Sequence, residues 1–274
     1  MRIATNDVTL EVAVAGDDGD PAVLLLHGWP DTHALWRHQI EALVEAGYRT
    51  IAPDLRGFGD SDKPEVVDAY GVRDLAADVT GVLDHLAIGR AHVVGHDWGA
   101  ALAWALAAFT PDRVASLAAV SVGHPKAFRD AGLAQRQKSW YMLLFQFEGV
   151  AERWLSNDAF ANLRQWTRHP DVDEVVSRLA DPAALSASLA LYRANLPPEW
   201  LVTPPLEFPP VNCPTLGIWS SGDVALTEQQ MVDSASEVTG RWRYERIDGA
   251  GHWIPLEAPA RFNTLLLDHL AAAT

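Results

Sequence analysis

The sequence predicts an α/β fold, with a mostly parallel central sheet flanked by helices and a helical lid inserted in it. Short apolar runs alternate with segments of helical apolar spacing towards both ends of the chain, which is typical of βαβ units. This alternation stops at His124 and resumes at Pro214, and the sequence between them has helical spacing without buried strands. We therefore expect residues 1–123 and 211–274 to form a core domain. Residues 124–210, called the cap below, are expected to be the insertion.

The composition indicates a large soluble domain. A chain of 274 residues, of which 49% are hydrophobic, can bury a sizeable core and is long enough for one domain with an insertion. The formal net charge of −15 argues against nucleic acid and anionic membrane surfaces as partners. An uncharged or weakly charged substrate is therefore favoured.

The cysteine content and the lack of targeting signals predict a cytoplasmic protein. Cys213 is the single cysteine of the sequence, so no intrachain disulfide can form, which fits a reducing compartment. Residues 1–7 lack the apolar core of a signal peptide, and no uncharged apolar run reaches membrane-spanning length. The sequence leaves the oligomeric state open, with a homo-oligomer as one option.

The periodicity of the apolar residues places the individual elements. The predicted strands cover residues 8–15, 22–26, 48–52, 114–122, 214–219 and 242–247. The strand at 8–15 is expected at the edge of the sheet, and a further strand and helix share residues 91–109. Other helices are predicted at residues 32–46, 70–86, 133–147, 150–166, 172–180, 182–195, 227–237 and from 255 onward. The proline-dense residues 196–210 can form neither a regular helix nor a central strand.

The stretch from Ala91 to Ala100 carries the first functional signal. An apolar run of strand character meets the pattern Gly-x-Asp-x-Gly at residues 95–99, and an alanine-rich helical sequence follows at once. This is the layout of a nucleophile elbow, in which a catalytic residue lies on a sharp strand-to-helix turn. Asp97 occupies the central position, where serine is usual. A carboxylate at that position attacks carbon and forms an ester.

Two polar residues that follow later strands complete a catalytic triad. Asp223 comes just after the strand at 214–219, and His252 comes just after the strand at 242–247. The chain order of nucleophile, acid and histidine is that of the α/β-hydrolase triad. His252, oriented by Asp223, would activate the water that hydrolyses the ester. Asp248 is the competitor for the acid, but it lies too close along the chain to His252 to face it across a site.

The loop after the first buried strand supplies a candidate oxyanion hole. His27-Gly28-Trp29-Pro30 follows that strand, and in this fold one amide of the loop and the amide after the nucleophile bind the oxyanion. The backbone amides of Trp29 and Trp98 are therefore predicted as the two donors. The remaining polar residues near these strand ends are interpreted as loop-ordering, structural or surface groups: Asp54, Asp60, Asp62, His33, His38 and His96.

Taken together, these motifs resemble those of the epoxide hydrolases in the α/β-hydrolase superfamily. The resemblance covers nearly the whole sequence and implies the α/β-hydrolase fold. The segments that carry it are His27-Gly28-Trp29-Pro30, residues 54–62, residues 95–100, Gly222-Asp223 and Gly251-His252-Trp253. Several of these segments are shared with haloalkane and haloacetate dehalogenases, which also use aspartate nucleophiles.

Two tyrosines of the cap distinguish these relatives. Epoxide hydrolases resemble one another in carrying two lid tyrosines whose hydroxyls grip the epoxide oxygen. The segment 140–146 is similar to the first tyrosine motif and the segment 191–195 to the second, which nominates Tyr141 and Tyr192. An epoxide needs such donors because its leaving group is a poor alkoxide, whereas a halide leaves without a proton. The alternative interpretation is that both tyrosines only anchor helices in the cap core.

The resemblance implies a detoxifying epoxide hydrolase that needs neither a cofactor nor a metal. Its substrates are expected to be a small apolar epoxide and water, and its product a vicinal diol. The nearest alternative is a dehalogenase of the same fold, with Trp98 as a halide contact. A non-catalytic small-molecule receptor on this fold is the alternative from another class, and the intact triad argues against it. A serine esterase is disfavoured by Asp97.

Overall fold

The chain folds around a central β-sheet, in a computed structural model that describes residues 1–203 and 207–273. The strands of this part are β1 (Arg2–Thr5), β2 (Val8–Ala15), β3 (Ala22–Leu26), β4 (Arg49–Pro53), β5 (Ala91–His96), β6 (Val114–Val120), β7 (Thr215–Ser220) and β8 (Trp242–Ile247). They form one sheet in the order β1-β2-β4-β3-β5-β6-β7-β8. The pairs β1–β2 and β2–β4 are antiparallel and the other five pairs are parallel, which confirms a mostly parallel sheet.

Helices connect the strands and make up most of the segment between β6 and β7. The helices are α1 (Arg37–Glu45), α2 (Val72–His85), α3 (Trp98–Phe109), α4 (Pro125–Asp130), α5 (Gly132–Lys138), α6 (Trp140–Leu144), α7 (Val150–Thr167), α8 (Val172–Leu179), α9 (Pro182–Asn195), α10 (Glu228–Asp233), α11 (Ile254–Glu257) and α12 (Pro259–Ala273). Short 3-10 helices lie at His33–Trp36, Val67–Tyr70, Pro111–Arg113, Pro198–Leu201 and Ser234–Glu237.

Alternate residues of the central strands face two separate hydrophobic clusters. Leu24 of β3 packs with residues of α2 and α3, whereas its neighbours Val23 and Leu25 pack with residues of α1 and α12. All residues of β3 are buried, because helices cover a central parallel strand on both faces. This arrangement explains the continuous apolar run of β3 and confirms the predicted α/β fold class.

The N-terminal part of the sheet differs from the prediction. Strand β1 pairs antiparallel with β2, so β1 is the edge strand and the prediction that residues 8–15 lie at the edge is wrong. Only Ile3 of β1 is buried, and one inward side chain in a short strand leaves no alternating pattern to detect. The strand β1 is therefore specified mainly by its pairing with β2 and only weakly by its own sequence.

The cap is divided into more helices than the periodicity predicts. Helix α4 was not predicted, and the predicted helix at 133–147 is split into α5 and α6. Gly132 has φ +75°, a left-handed conformation that separates α4 from α5. In the proline-dense segment the structure shows one 3-10 turn (Pro198–Leu201), while residues 204–206 of that segment lie outside the described residues.

Cap residues pack onto the core at the carboxyl ends of the parallel strands. Tyr141 and Tyr192 belong to the same hydrophobic cluster as Leu26 and Trp29. A buried hydrogen bond joins Nε2 of His169 in the cap to Oδ1 of Asp31 in the loop after β3, with the two atoms 2.9 Å apart. The cap thus covers the edge of the sheet where α/β folds bind ligands. In the described part of the chain, no helix is long and apolar enough to cross a membrane.

Candidate active site

Asp97 lies on a sharp turn between β5 and α3. Its backbone has φ 53° and ψ −122°, a strained conformation for a residue with a side chain. A Cβ atom added at Gly95 would overlap the carbonyl group of Gly99, and one added at Gly99 would overlap the carbonyl oxygen of Leu26. The two glycines therefore allow the strand and the helix to approach closely, as the elbow motif predicts.

The carboxylate of Asp97 is buried between the loop after β3 and the ring of His252. Its Oδ1 accepts a hydrogen bond from the backbone amide of Trp29 at 2.9 Å. Its Oδ2 lies 3.6 Å from Nε2 of His252. Gly28 makes the first contact possible, since a Cβ atom there would overlap the Asp97 side chain. One carboxylate oxygen is thus held by an amide, and the other is free to react.

His252 and Asp223 form a buried pair beside Asp97. Nδ1 of His252 lies 2.9 Å from Oδ2 of Asp223, whose other oxygen accepts hydrogen bonds from the amides of Ala225 and Leu226 at 2.8 Å each. With Asp223 as an ionised acceptor, Nδ1 of His252 carries a proton and donates it, and Nε2 faces Asp97. The structure therefore brings Asp97, His252 and Asp223 together in the order of a triad.

The two carboxylates determine the charge of His252. Burial alone would lower the pKa of its imidazole, but Asp223 and Asp97 outweigh burial and raise the pKa to about 10. Burial would raise the pKa of Asp223, yet His252 and the two amides hold it below its usual value. His252 is therefore an imidazolium between two carboxylates in the free enzyme at neutral pH.

The backbone of His252 is fixed by two buried polar side chains. Nε2 of His96 donates to the His252 carbonyl oxygen at 2.9 Å, and the Ser121 hydroxyl donates to the same oxygen at 3.2 Å. Burial and the neighbouring His252 lower the pKa of His96 to about 4, so His96 is neutral. His96, interpreted from the sequence as structural or surface, thus lies buried against the site and holds the histidine loop in place.

Tyr141 of α6 and Tyr192 of α9 lie on the cap side of the site. Their side chains are 2% and 1% exposed, and their ring centroids are 5.9 Å apart. Burial, with the nearby charge of Asp97, raises the pKa of both hydroxyls well above 10. Tyr192 also packs edge-on against the indole of Trp98, with centroids 5.1 Å apart. Both phenols are therefore protonated hydrogen-bond donors opposite the carboxylate.

Sequence reasoning assigned no role to three aromatic residues that pack against the tyrosines or His252. Trp166 of α7 packs against Tyr141 with ring centroids 4.5 Å apart, and the ring centroid of Phe145 lies 5.0 Å from that of Tyr192. Trp253 follows His252 directly and packs edge-on against it at 4.9 Å. Phe145 lies one helical turn after Tyr141, a spacing that could have indicated a shared face. Trp166 carries no such signal, because only the folding of α7 across the cap brings it to Tyr141.

A large cavity leads from Asp97 along the cap. Its volume is about 590 Å³, and Asp97 and Tyr141 lie in its wall. Most of its lining side chains are apolar, among them Trp98, Val122, Phe128, Met142, Leu196 and Phe208. Such a cavity fits an apolar molecule whose reactive end lies between the carboxylate and the phenols.

Two further aspartates near the strand ends have other partners. Asp248 is exposed and its Oδ1 accepts from Nε of Arg246 at 2.8 Å, so it does not face His252. Asp54 accepts from the amide of His33 at 2.7 Å and orders its loop. Within residues 1–203 and 207–273, no group of three or more His, Cys, Asp or Glu side chains could hold a metal ion.

The fold and this site define an α/β hydrolase with an aspartate at the nucleophile position. In agreement, the family described as alpha/beta hydrolase fold matches residues 21–259. Epoxide hydrolase A of Mycobacterium tuberculosis is 35% identical over 98% of this chain and 96% of its own length. Epoxide hydrolase 3 of Xenopus tropicalis is 31% identical over 98% of this chain and 77% of its own.

Solved structures agree with the sequence comparisons. The crystal structure of epoxide hydrolase A from Mycobacterium thermoresistibile superposes with a TM-score of 0.86 and 32% identity, covering 99% of this chain and 97% of that one. The chain therefore belongs to the epoxide hydrolases of the α/β-hydrolase superfamily. The roles of its individual residues remain predictions, which the geometry above supports.

Proposed function

We propose that this enzyme converts an epoxide and water to a vicinal diol through a covalent alkyl ester on Asp97. Tyr141 and Tyr192 hold the epoxide oxygen, and His252 with Asp223 drives hydrolysis of the ester. The observation that carries the proposal is the position of two buried, protonated phenols opposite the Asp97–His252 pair. The membership of the chain among the epoxide hydrolases supports the same reaction.

The first step is attack of Asp97 on a ring carbon of the epoxide. Oδ2 is the attacking atom, because Oδ1 is already held by the Trp29 amide at 2.9 Å. A bond forms between Oδ2 and the carbon, and the bond from that carbon to the epoxide oxygen breaks. The oxygen takes a proton from Tyr141 or Tyr192, since an alkoxide is a poor leaving group without a donor.

Formation of the ester prepares His252 for the second step. The negative charge of Asp97 contributes to the raised pKa of His252, and alkylation removes that charge. The imidazolium then gives up its proton and the tyrosinate left by the first step takes one up, so that both groups are neutral when water attacks. His252 therefore becomes a neutral base when a base is needed, with Asp223 holding its Nδ1.

The second step is attack of water on the carbonyl carbon of the ester. His252 takes one proton from the water as the water oxygen bonds to Cγ of Asp97. The bond from Cγ to Oδ2 then breaks, and Oδ2 leaves as a diol hydroxyl by taking that proton from His252. The new carboxyl group gives its remaining proton to His252, which restores the imidazolium and the carboxylate. The tetrahedral oxyanion forms at Oδ1, where the Trp29 amide already donates. The amide of Trp98, directly after the nucleophile, is proposed as the second donor. The products are the diol and the restored carboxylate.

The substrate, the domain division and the location belong to the same proposal. The apolar lining of the large cavity supports a small apolar epoxide as the substrate. The packing of cap helices over the sheet edge supports the division into core (1–123 and 211–274) and cap (124–210). The single cysteine supports a cytoplasmic location.

A substitution of His252 by Gln tests the proposed chemistry. Without its base the enzyme completes the first step and retains the ester, so mass spectrometry after addition of styrene oxide detects Asp97 heavier by the mass of the intact epoxide. The matched control is the double variant Asp97→Ala/His252→Gln, which gains no mass. A dehalogenase would instead retain the mass of a haloalkane less hydrogen halide and gain none from epoxides, and this result would contradict the proposal.

A further inference from the structure

A second cavity, called the small cavity, lies between the triad and the cap. Its volume is about 20 Å³, and its wall includes Asp97, His252, Tyr192 and Val224. Asp97 and Tyr141 are the two residues that it shares with the large cavity. The reacting carboxylate therefore lies between two separate spaces, one of which is far too small for an epoxide.

A third cavity, called the side cavity, connects this region with the surface. Its volume is about 300 Å³, and exposed residues such as Arg168, Ser221 and Gly249 line it. It shares four residues with the small cavity, namely Thr167, Val224, His252 and Trp253. These four residues form the wall between the two spaces. Among residues 1–203 and 207–273, none that lines the side cavity also lines the large cavity.

The small cavity has the size of a site for one water molecule, and two polar groups border its mostly apolar wall. A cavity needs about 10–15 Å³ to hold a water with polar partners, and this cavity offers about 20 Å³. Its wall contains the groups that would bind such a molecule, since the Asp97 carboxylate and the His252 imidazole both border it. Asp97 and His252 would give a water molecule the polar partners that an entirely apolar cavity of this size lacks.

While the ester exists, its alkyl group is bound covalently to Asp97 and occupies the part of the large cavity next to this residue. Water that enters through the large cavity must therefore pass the alkyl group before it reaches the ester. Water must nevertheless reach Cγ of Asp97 next to Nε2 of His252. The small cavity lies at that position, and the side cavity beyond it opens to solvent.

We infer that the hydrolytic water reaches the ester from the side cavity, passing Val224 and Thr167, and binds in the small cavity beside His252. Substrate and water thus use different entrances. This inference rests on the proposed function, because it assigns a route to the water of the second step. Val224 is the residue that best controls the route, since it is half-buried and lines both spaces.

The substitution Val224→Phe tests the route by filling the small cavity. In single turnovers with excess enzyme and styrene oxide, we expect the rate of ester formation to be unchanged and ester hydrolysis to fall about tenfold. In the steady state, kcat and KM fall together while kcat/KM stays constant. Val224→Met is a milder change that serves as a second test if Val224→Phe folds poorly. It should also slow ester hydrolysis, by a smaller factor.

The matched control is Ala194→Phe, which narrows the large cavity instead. It is expected to slow ester formation and to leave ester hydrolysis at the wild-type rate. The pH dependence of ester hydrolysis in Val224→Phe should also match that of the wild type, which shows that the pair of His252 and Asp223 is intact.

Three results separate the inference from the proposed function. If the ester forms in Val224→Phe and Val224→Met and hydrolyses at the wild-type rate, the proposed water route is wrong and the proposed function stands. Equal slowing of both steps in these variants also overturns it, since a blocked water route affects only the second step. If no ester forms in the wild type or in any variant, the proposed function fails and the route fails with it.

Discussion

Nε2 of His252 lies 3.6 Å from Oδ2 of Asp97. This distance is too long for a hydrogen bond but short enough for attraction between an imidazolium and a carboxylate. The same ring binds Asp223 through Nδ1 at 2.9 Å. His252 is therefore held by one carboxylate and only loosely paired with the other, which leaves Asp97 free to react.

Removal of either cap phenol is expected to slow ester formation. Each of Tyr141→Phe and Tyr192→Phe should lower this rate about 10- to 100-fold, because one donor to the epoxide oxygen is lost. Single-turnover quench experiments measure it. The matched control is Tyr70→Phe, a tyrosine that is equally buried but donates to the carbonyl oxygen of Pro64. If Tyr70→Phe slows ester formation as much as Tyr141→Phe and Tyr192→Phe do, the slowing results from a general structural change and not from the loss of a donor to the epoxide.

Asp223→Asn is expected to block ester hydrolysis rather than ester formation. Loss of the carboxylate removes the group that fixes the His252 tautomer, so the second step should slow about 10³- to 10⁴-fold. The ester should accumulate and be visible by mass spectrometry of the intact enzyme. Asp248→Asn, which changes an exposed aspartate four residues before His252, is expected to behave as the wild type. If ester hydrolysis slows equally in Asp223→Asn and Asp248→Asn, the assignment of Asp223 as the acid of the triad is wrong.

The raised pKa of His252 predicts a loss of stability at alkaline pH. The native state keeps a proton on His252 up to about pH 10, whereas the unfolded chain loses it near 6.5. The contribution of this proton to the free energy of unfolding is thus complete below pH 6.5 and disappears as the pH rises through about 10. Thermal unfolding of the wild type and His252→Gln measures it.

The difference in Tm between the wild type and His252→Gln, followed as a function of pH, isolates the contribution of the His252 proton to stability. The Tm of the wild type is expected to fall more steeply with pH than that of His252→Gln across the interval from 6.5 to 10. Parallel curves over this interval would mean that the histidine is not charged in the native state.

Local sequence patterns predict the elements that position the catalytic groups. The elbow at Asp97 follows from two glycines at a strand-to-helix junction, and the structure shows the close contacts that require them. The choice of Asp223 over Asp248 follows from spacing, and the structure places only Asp223 against His252. In both cases the signal lies within a few residues of the chain.

Features that depend on contacts between distant segments were not predictable. The position of β1 at the edge depends on its pairing with β2, and the stacking of Trp166 on Tyr141 depends on how α7 folds across the cap. The small cavity likewise arises where Val224 of the core meets Thr167 of the cap. No pattern in one segment specifies such a space, because its shape is set by both sides.

The most direct test of the ester on Asp97 is the fate of water oxygen in a single turnover. With enzyme in excess over epoxide in H₂¹⁸O, the account predicts that the label enters the carboxylate of Asp97 and that the diol is unlabelled. The diol oxygen comes from Asp97 because water attacks Cγ rather than the epoxide carbon. Mass spectrometry of the peptide with Asp97 and of the diol measures both. A labelled diol with an unlabelled Asp97 would show direct attack by water and would contradict the account.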